Sequence, residues 1–190
     1  MKKRGRPKGA HGTSGKWQDI VDAAVEIILD EGIRKLTYRK LSLRTDVSPG
    51  TITYYFDGLD QVIGQAAARY IPYVGGFLDT EILVGSKSEE VGDYLALVAS
   101  GGNRENSPSK KAVMEFYWFL LGKPCHHGIL HEWRNVAIGA LNSRYGCVAS
   151  RFLYAYVEGA AVHGCMTGGY PSFSEAKQNI SKLLNGLVKL

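Results

Sequence analysis

The sequence predicts an all-α protein, and three observations carry that reading. Apolar residues recur every three or four positions from Lys16 onward, with Ile20, Ala24, Ile27 and Ile28 as the first set. Local punctuation consists of helix starts and stops, such as Ser48-Pro49 and Gly32. No segment reads as a strand, and no internal repeat is present.

The first helix is expected from Lys16 to the stop at Gly32. A shorter helix fits Thr37 as N-cap through Thr45, burying Leu41 and turning Arg39, Lys40 and Arg44 toward solvent or phosphate. Asp46 and Val47 make a tight turn. Ser48 then caps a third helix whose first position is Pro49, where the missing N–H costs nothing. At about 100° per residue, Ile52 and Phe56 share one apolar stripe that faces the first two helices. Gly50 and Tyr54 lie opposite, flanked by Thr51 and Thr53, with Tyr55 at one edge. A glycine, small hydroxyls and a phenol on one face suit close approach to base edges in a major groove.

Asp57 and Asp60 suit the start of a fourth helix running through Tyr70 and kinked or stopped near Pro72. Ser86 and Glu89 have capping-box spacing before a helix around 88–100. A polar loop over 101–107 separates it from helices at 108–121 and 127–145, which are broken at Gly122 and Pro124. A final pair is expected at about 148–167 and 173–189.

The chain has 190 residues, 45% of them hydrophobic and 22% charged, and one compact body is expected. No uncharged apolar run reaches the ~18 residues of a membrane span. The basic N-terminus is followed by a stretch broken at Asp19 and Asp22, which excludes a signal-peptide apolar region. Cys125, Cys147 and Cys165, odd in number and widely spaced, read as free buried thiols in a reducing cytoplasm. Residues 1–48 hold 11 Lys/Arg against 6 Asp/Glu, and the remaining residues hold 12 of each. That is the footprint of a nucleic-acid binder with a neutral body, or of a solvated basic tail. Within the tail, Arg4-Gly5-Arg6-Pro7 resembles an AT-hook, in which Arg4 and Arg6 reach the narrow minor groove of A/T-rich DNA. Residues 10–15 read as a tether, giving an arm over 1–15, a helix-turn-helix domain over 16–57 and a helical domain over 58–190.

Residues 17–63 resemble the TetR-family DNA-binding domain. The resemblance runs from Trp17-Gln18-Asp19-Ile20-Val21-Asp22-Ala23-Ala24 through Glu31-Gly32, Leu36-Thr37 and Val47-Ser48-Pro49-Gly50-Thr51-Ile52 to Tyr55-Phe56. It covers about a quarter of the chain and implies a bacterial, nucleoid-associated transcriptional regulator, with repression modulated by a small ligand as the usual mode. It implies double-stranded DNA with a near-palindromic operator as partner, phosphate contacts from Thr37 and Tyr55, and base readout from Tyr38, Thr53 and Tyr54. Three places depart from the pattern: Thr45-Asp46 replaces the common Ala-Gly of the turn, Leu59 stands where a phosphate-binding lysine is common, and Thr53 replaces a tyrosine common on the third helix.

The resemblance also implies a homodimer through the last two helices, for which Tyr156, Gly159, Ala160, Gly164, Ile180, Leu183 and Leu187 are the candidates. The alternative is an ordinary intramolecular core. A ligand cavity is implied among the middle helices, with Tyr70, Tyr94, Phe116, Tyr117, Trp133 and His163 as candidate lining and Glu115 or Arg134 as further polar groups. Aromatic stripes are more often core than pocket. His127 and His131 have the i, i+4 spacing of metal ligands but no identifiable third partner, so no metal and no cofactor is expected. No catalytic motif is found, and a non-enzyme is expected. The competing readings are an architectural A/T-binding protein that relies on the arm, and a metal-sensing regulator.

Overall fold

The computed structural model describes residues 15–74, 78–102 and 110–187. The basic arm, with Arg4 and Arg6, lies outside these residues. Where the length suggests one body, the chain divides into two compact units, Met1–Tyr70 and Ile71–Leu190. Every regular element among the described residues is helical.

In the first unit, α1 (Gly15–Glu31) ends at Gly32, whose φ of 95° a side chain would resist. A single 3-10 turn over Ile33–Lys35 leads to α2 (Tyr38–Thr45), where the Thr37 hydroxyl accepts the Lys40 N–H at 3.2 Å. Asp46 then turns the chain at φ 52°, a left-handed conformation that Asp adopts more readily than most residues. Next, α3 (Pro49–Tyr55) starts on Ser48, whose Oγ accepts the Thr51 N–H at 3.2 Å. Ile20, Ile27, Ile28, Leu41, Ile52 and Phe56 are essentially inaccessible and form the core that packs α1, α2 and α3 together. Trp17 stacks on Phe56, ring centroids 6.0 Å apart, and so ties the start of α1 to the end of α3. The next helix, α4 (Leu59–Val74), begins in this unit, and Gln61 Oε1 accepts the Asp57 N–H ahead of its first turn. It runs through Tyr70 and ends at Val74, two residues beyond the stop expected near Pro72. Pro72 lies within two residues of the helix end, so its missing N–H removes only one terminal hydrogen bond.

The second unit contains an element that the sequence reading lacks, the six-residue α5 (Thr80–Gly85), capped by Asp79 Oδ1 on the Glu81 N–H at 2.9 Å. Because Ser86 closes α5, it cannot also start the next helix. In α6 (Ser88–Ala99) the reach-back acceptor is Glu90 on the Lys87 N–H at 3.1 Å, one residue later than the Ser86/Glu89 spacing suggests. Then come α7 (Lys110–Leu121), a 3-10 turn at Pro124–His126, α8 (His127–Thr167) and α9 (Phe173–Leu187). Gly146, at φ 76° and ψ 166°, interrupts α8 near the expected boundary between two helices. Leu83, Val91, Leu95, Leu141, Leu153, Val157 and Ile180 lie in the core of this unit. Cys125, Cys147 and Cys165 are all exposed, contrary to the buried thiols expected. Each sits at an interruption or in the last turn of a helix, where solvent reaches the side chain.

Gly164 is buried, and a Cβ built on it would lie 2.1 Å from Cδ1 of Tyr170. The Tyr170 ring therefore occupies, within the same chain, the space that the small-residue pattern offered to a second copy. Gly164→Ala should lower stability by about 1–3 kcal/mol through overpacking, measured as a fall in thermal midpoint independent of protein concentration. A midpoint loss that disappears at high concentration would place Gly164 at an interface between copies instead.

Candidate nucleic-acid interface and second-unit cavity

The interface candidate in the first unit follows from what α3 must bury. With Ile52 and Phe56 inward, Gly50, Thr53 and Tyr54 project outward, and Tyr54 is 52% exposed. Thr51 and Tyr55 are half-buried at the flanks, and the Tyr54 and Tyr55 rings meet edge to face at 5.3 Å. Ser48 and Thr51 share a hydroxyl contact of 2.9 Å in the first turn. The Thr53 hydroxyl donates to the Gly50 carbonyl at 3.1 Å. Its proton is thereby used inside the helix, so Thr53 presents a methyl group and acceptor lone pairs to a partner.

On α2 the cations divide. Lys40 pairs with Glu31, and Arg44 pairs with Glu26 at 2.9 Å, so both are held by α1 carboxylates rather than left open as the sequence reading has them. Arg39 is exposed and makes no ion pair among the described residues. Thr37 is exposed at the N-cap with Tyr38 half-buried beside it. Leu43, 76% exposed on the same helix, is a surface residue that sequence periodicity did not single out. Arg34 and Lys35, in the 3-10 turn, are likewise exposed. Residues 15–70 hold seven Lys/Arg against eight Asp/Glu, so the basic excess of the N-terminal part of the sequence belongs to residues 1–14, while Arg34, Lys35 and Arg39 are the exposed cations around the start of α2.

The second unit holds a cavity of about 230 Å³ bounded by α7 and both halves of α8. Tyr117 and Trp133, both expected, line it together with Arg134. Tyr154, Glu158, His127, His131, Leu121 and Leu130 complete the wall and were not foreseen. The i, i+4 spacing of Tyr154 and Glu158 was the one signal available, and it acquires meaning only once α7 packs beside it. The other four candidates fall elsewhere. Phe116 is fully buried core, Tyr70 is buried and belongs to the first unit, and His163 is exposed. Tyr94 lines a different depression with Glu90 and Asp93, and its hydroxyl accepts the Asp79 N–H at 2.7 Å. The half-buried Glu115 does not line either depression.

In the first cavity the Tyr154 hydroxyl donates to Glu158 Oε1 at 3.0 Å. Burial pushes the Glu158 carboxyl above its ordinary range, against the opposing effects of the Tyr154 hydrogen bond and of Arg134. Burial also raises the phenols of Tyr154 and Tyr117, with the Glu158 charge adding to both. Trp133 is 1% exposed, and its Nε1 has no hydrogen-bond partner among the described residues. His127 Nε2 donates to the Leu121 carbonyl at 3.0 Å, which ties the start of α8 to the end of α7. Among the described residues no group of three His, Cys, Asp or Glu side chains could hold a metal.

The opposite side of α8 presents Val148 (59% exposed), Phe152 (53%), Ala155 and Gly159 at steps of four, three and four residues, with Met166 exposed two turns further on. A Cβ on Gly159 would meet nothing within 4 Å. Ala160, Leu183 and Leu187 are half-buried, and Tyr156 accepts a hydrogen bond from Asn179 of α9 at 3.2 Å. Ile180, like Gly164, is buried inside its own chain. An isolated chain seldom leaves so regular an apolar row in water.

A family model described as bacterial regulatory proteins, tetR family, matches residues 20–66. Among solved structures, a protein of Streptomyces coelicolor A3(2) assigned as a transcriptional regulator is 20% identical, with a TM-score of 0.71 over 90% of this chain and 99% of that one. The multidrug binding protein EbrR, crystallised with proflavin, is 22% identical, with a TM-score of 0.68 over 88% and 99% of the two chains. A TetR-family member from Streptomyces coelicolor A3 is 23% identical, with a TM-score of 0.60 over 90% and 98%. No curated protein matches the chain. Residues 20–66 are therefore similar to the TetR-type helix-turn-helix, and the all-α fold is the one the chain shares with these solved structures.

A carboxyl whose folded-state pKa is raised adds stability below its ordinary pKa and loses that contribution as pH rises through the raised value. Glu158→Gln should therefore melt at a higher temperature than the unaltered chain at about pH 7.5, with the gap closing as pH falls toward about 4. Identical midpoints at both pH values would mean that the Glu158 carboxylate carries no burial penalty.

Proposed function

We propose that this chain, built on a TetR-type reading head, is a sequence-specific transcriptional regulator that binds a near-palindromic operator as a homodimer and is modulated by a small organic ligand. It is read as a DNA-binding protein and not an enzyme, acting in the cytoplasm at the nucleoid. The observation that carries this is α3: its buried Ile52 and Phe56 leave Gly50, Thr53 and Tyr54 facing outward beside a helix start that offers backbone N–H groups. Tyr54 and the Thr53 methyl are suited to base edges. Tyr38, at the start of α2, is read as a further base contact, and Tyr55, Thr37, Arg39, Ser48 and Thr51 are suited to positioning the duplex through its backbone. The arm, with Arg4 and Arg6, adds phosphate affinity that is tolerant of sequence.

The row Val148, Phe152, Ala155 and Gly159 supports a second copy as the partner, since two-fold contacts are the commonest solution for such a face. Gly159 and Ala155 would allow close helix approach there, with Leu183 and Leu187 of α9 at the margin. The ligand cavity uses the other side of the same turns, where Tyr154 and Glu158 alternate with Ala155 and Gly159. A ligand that prefers one position of α8 would thereby shift the spacing of the two reading heads. Its effect on operator affinity equals its differential affinity for the two states, typically ~1–3 kcal/mol. EbrR supports the presence of a ligand, since a chain of this fold is a multidrug binding protein crystallised with ethidium as well as with proflavin.

Two substitutions test the reading. Tyr54→Ala should reduce affinity for the operator by about 1–3 kcal/mol and change affinity for random DNA little, whereas Tyr55→Phe should weaken both. Equal losses on both DNAs from Tyr54→Ala would remove it from base readout. Because the space around Gly159 is open, Gly159→Glu should leave the monomer folded, yet a carboxylate buried unpaired between two copies costs several kcal/mol. Sedimentation should then give 20.8 kDa instead of twice that mass, with loss of operator binding. An unchanged dimer would move the interface elsewhere.

A further inference from the structure

The cavity lined by Tyr117, Trp133, Tyr154 and Glu158 carries an inference about which ligand it takes. Three other features were weaker. In the depression lined by Tyr94, Glu90 already accepts the Lys87 N–H and Asp93 pairs with Lys177 at 2.6 Å, so its acids are spent. The groove with Arg134, Asn135, Asn142 and Arg151 has only exposed cations, which water solvates well. His127 and His131 lack a third metal ligand, and one nitrogen of His127 is engaged.

At the chosen cavity the charges are unequally served. Glu158 is half-buried, accepts one hydrogen bond from Tyr154, and makes no ion pair among the described residues. Arg134 stands on the same wall, but it is exposed and keeps its hydration. A carboxylate stripped of part of its water, with acceptor capacity left over, is the group that gains most from an incoming N–H or positive charge. Around it stand Tyr117, Tyr154 and Trp133, whose ring faces attract a cation and whose flat surfaces suit a fused ring system. The titratable neighbours do not reverse this: His127 is engaged with the Leu121 carbonyl, and His131 is exposed.

We infer that this cavity binds a planar aromatic cation bearing N–H donors, with Glu158 as its counter-charge and Tyr117 and Trp133 as its apolar walls. This rests on reading the chain as a ligand-modulated regulator and names the ligand class for that site. Tyr154 acts as the positioning residue, since its hydroxyl fixes one oxygen of Glu158 and leaves the other toward the ligand.

The test is a fluorescence titration of the full chain with proflavin, using anilinonaphthalene sulfonate as the anionic counterpart. Proflavin should bind the unaltered chain, and Glu158→Gln, which keeps an acceptor for Tyr154 and therefore the fold, should weaken it about tenfold or more. Arg134→Met, at an exposed position, should strengthen proflavin binding severalfold by removing a repelling charge, measured at about pH 8.5 so that Glu158 stays ionised without the Arg134 charge. The sulfonate should not displace proflavin, and its own binding should not change in Glu158→Gln. Unchanged proflavin affinity in Glu158→Gln would overturn the inference, as would weaker binding in Arg134→Met. A cavity that prefers the sulfonate, and loses it in Arg134→Met, would reassign the site to anions. Operator protection measured on the same preparations separates the two levels. A chain that protects a defined site but shows none of the proflavin pattern overturns only the ligand class. One that shows the pattern but protects no site supports the ligand class and sinks the regulator reading.

Discussion

The full burial of Ile52 and Phe56 against α1 and α2 decides what the first unit can offer to a partner. Each contributes roughly 1.5–3 kcal/mol as its side chain leaves water, and a one-position slip of α3 would expose both while burying polar groups. The rotation of α3 is therefore fixed, and with it the outward placement of Gly50, Thr53 and Tyr54. Trp17 stacked on Phe56 fixes the end of the helix, while the Ser48 cap and left-handed Asp46 fix its start. The ion pairs Arg44–Glu26 and Arg69–Asp22 are exposed, so packing rather than salt bridging sets this geometry.

In the second unit the comparable constraint falls on α8, which serves three surroundings at once. Leu153, Val157 and Ala161 enter the core, Trp133 and Glu158 face the cavity, and Val148, Phe152 and Gly159 face outward. Gly146 makes this possible. Its positive φ resets the direction of the helix between Trp133, in the first half, and Glu158, in the second, so that both reach one cavity. A carboxylate kept half-buried at that place lowers stability at neutral pH, a cost that function explains better than folding does.

Local chemistry was the legible part of the sequence. Thr37, Asp46, Ser48 and the α3 stripe could be read because capping, left-handed turns and a 3.6-residue period depend on neighbours a few positions away. The TetR resemblance rests on those same residues and on the match over 20–66. What could not be read depends on partners distant in sequence. Gly164 looked like an interface glycine until Tyr170 was seen to fill its space, and Ile180 and Phe116 looked available until their neighbours enclosed them. Lys40 and Arg44 looked free because Glu31 and Glu26 lie on another helix. Ser86 was read as a helix start because nothing in the local pattern announced that α5 would end on it.

The central claim is that two identical reading heads recognise DNA sequence through α3. Its most direct test is selection of bound duplexes from a random library by the full chain, followed by sequencing. The account requires a two-fold symmetric motif whose half-sites are centred one helical turn, about 10 base pairs, or a small whole number of turns apart. Enrichment of A/T content alone, with no symmetric motif, would contradict it and make the basic arm the only part of the chain that engages DNA.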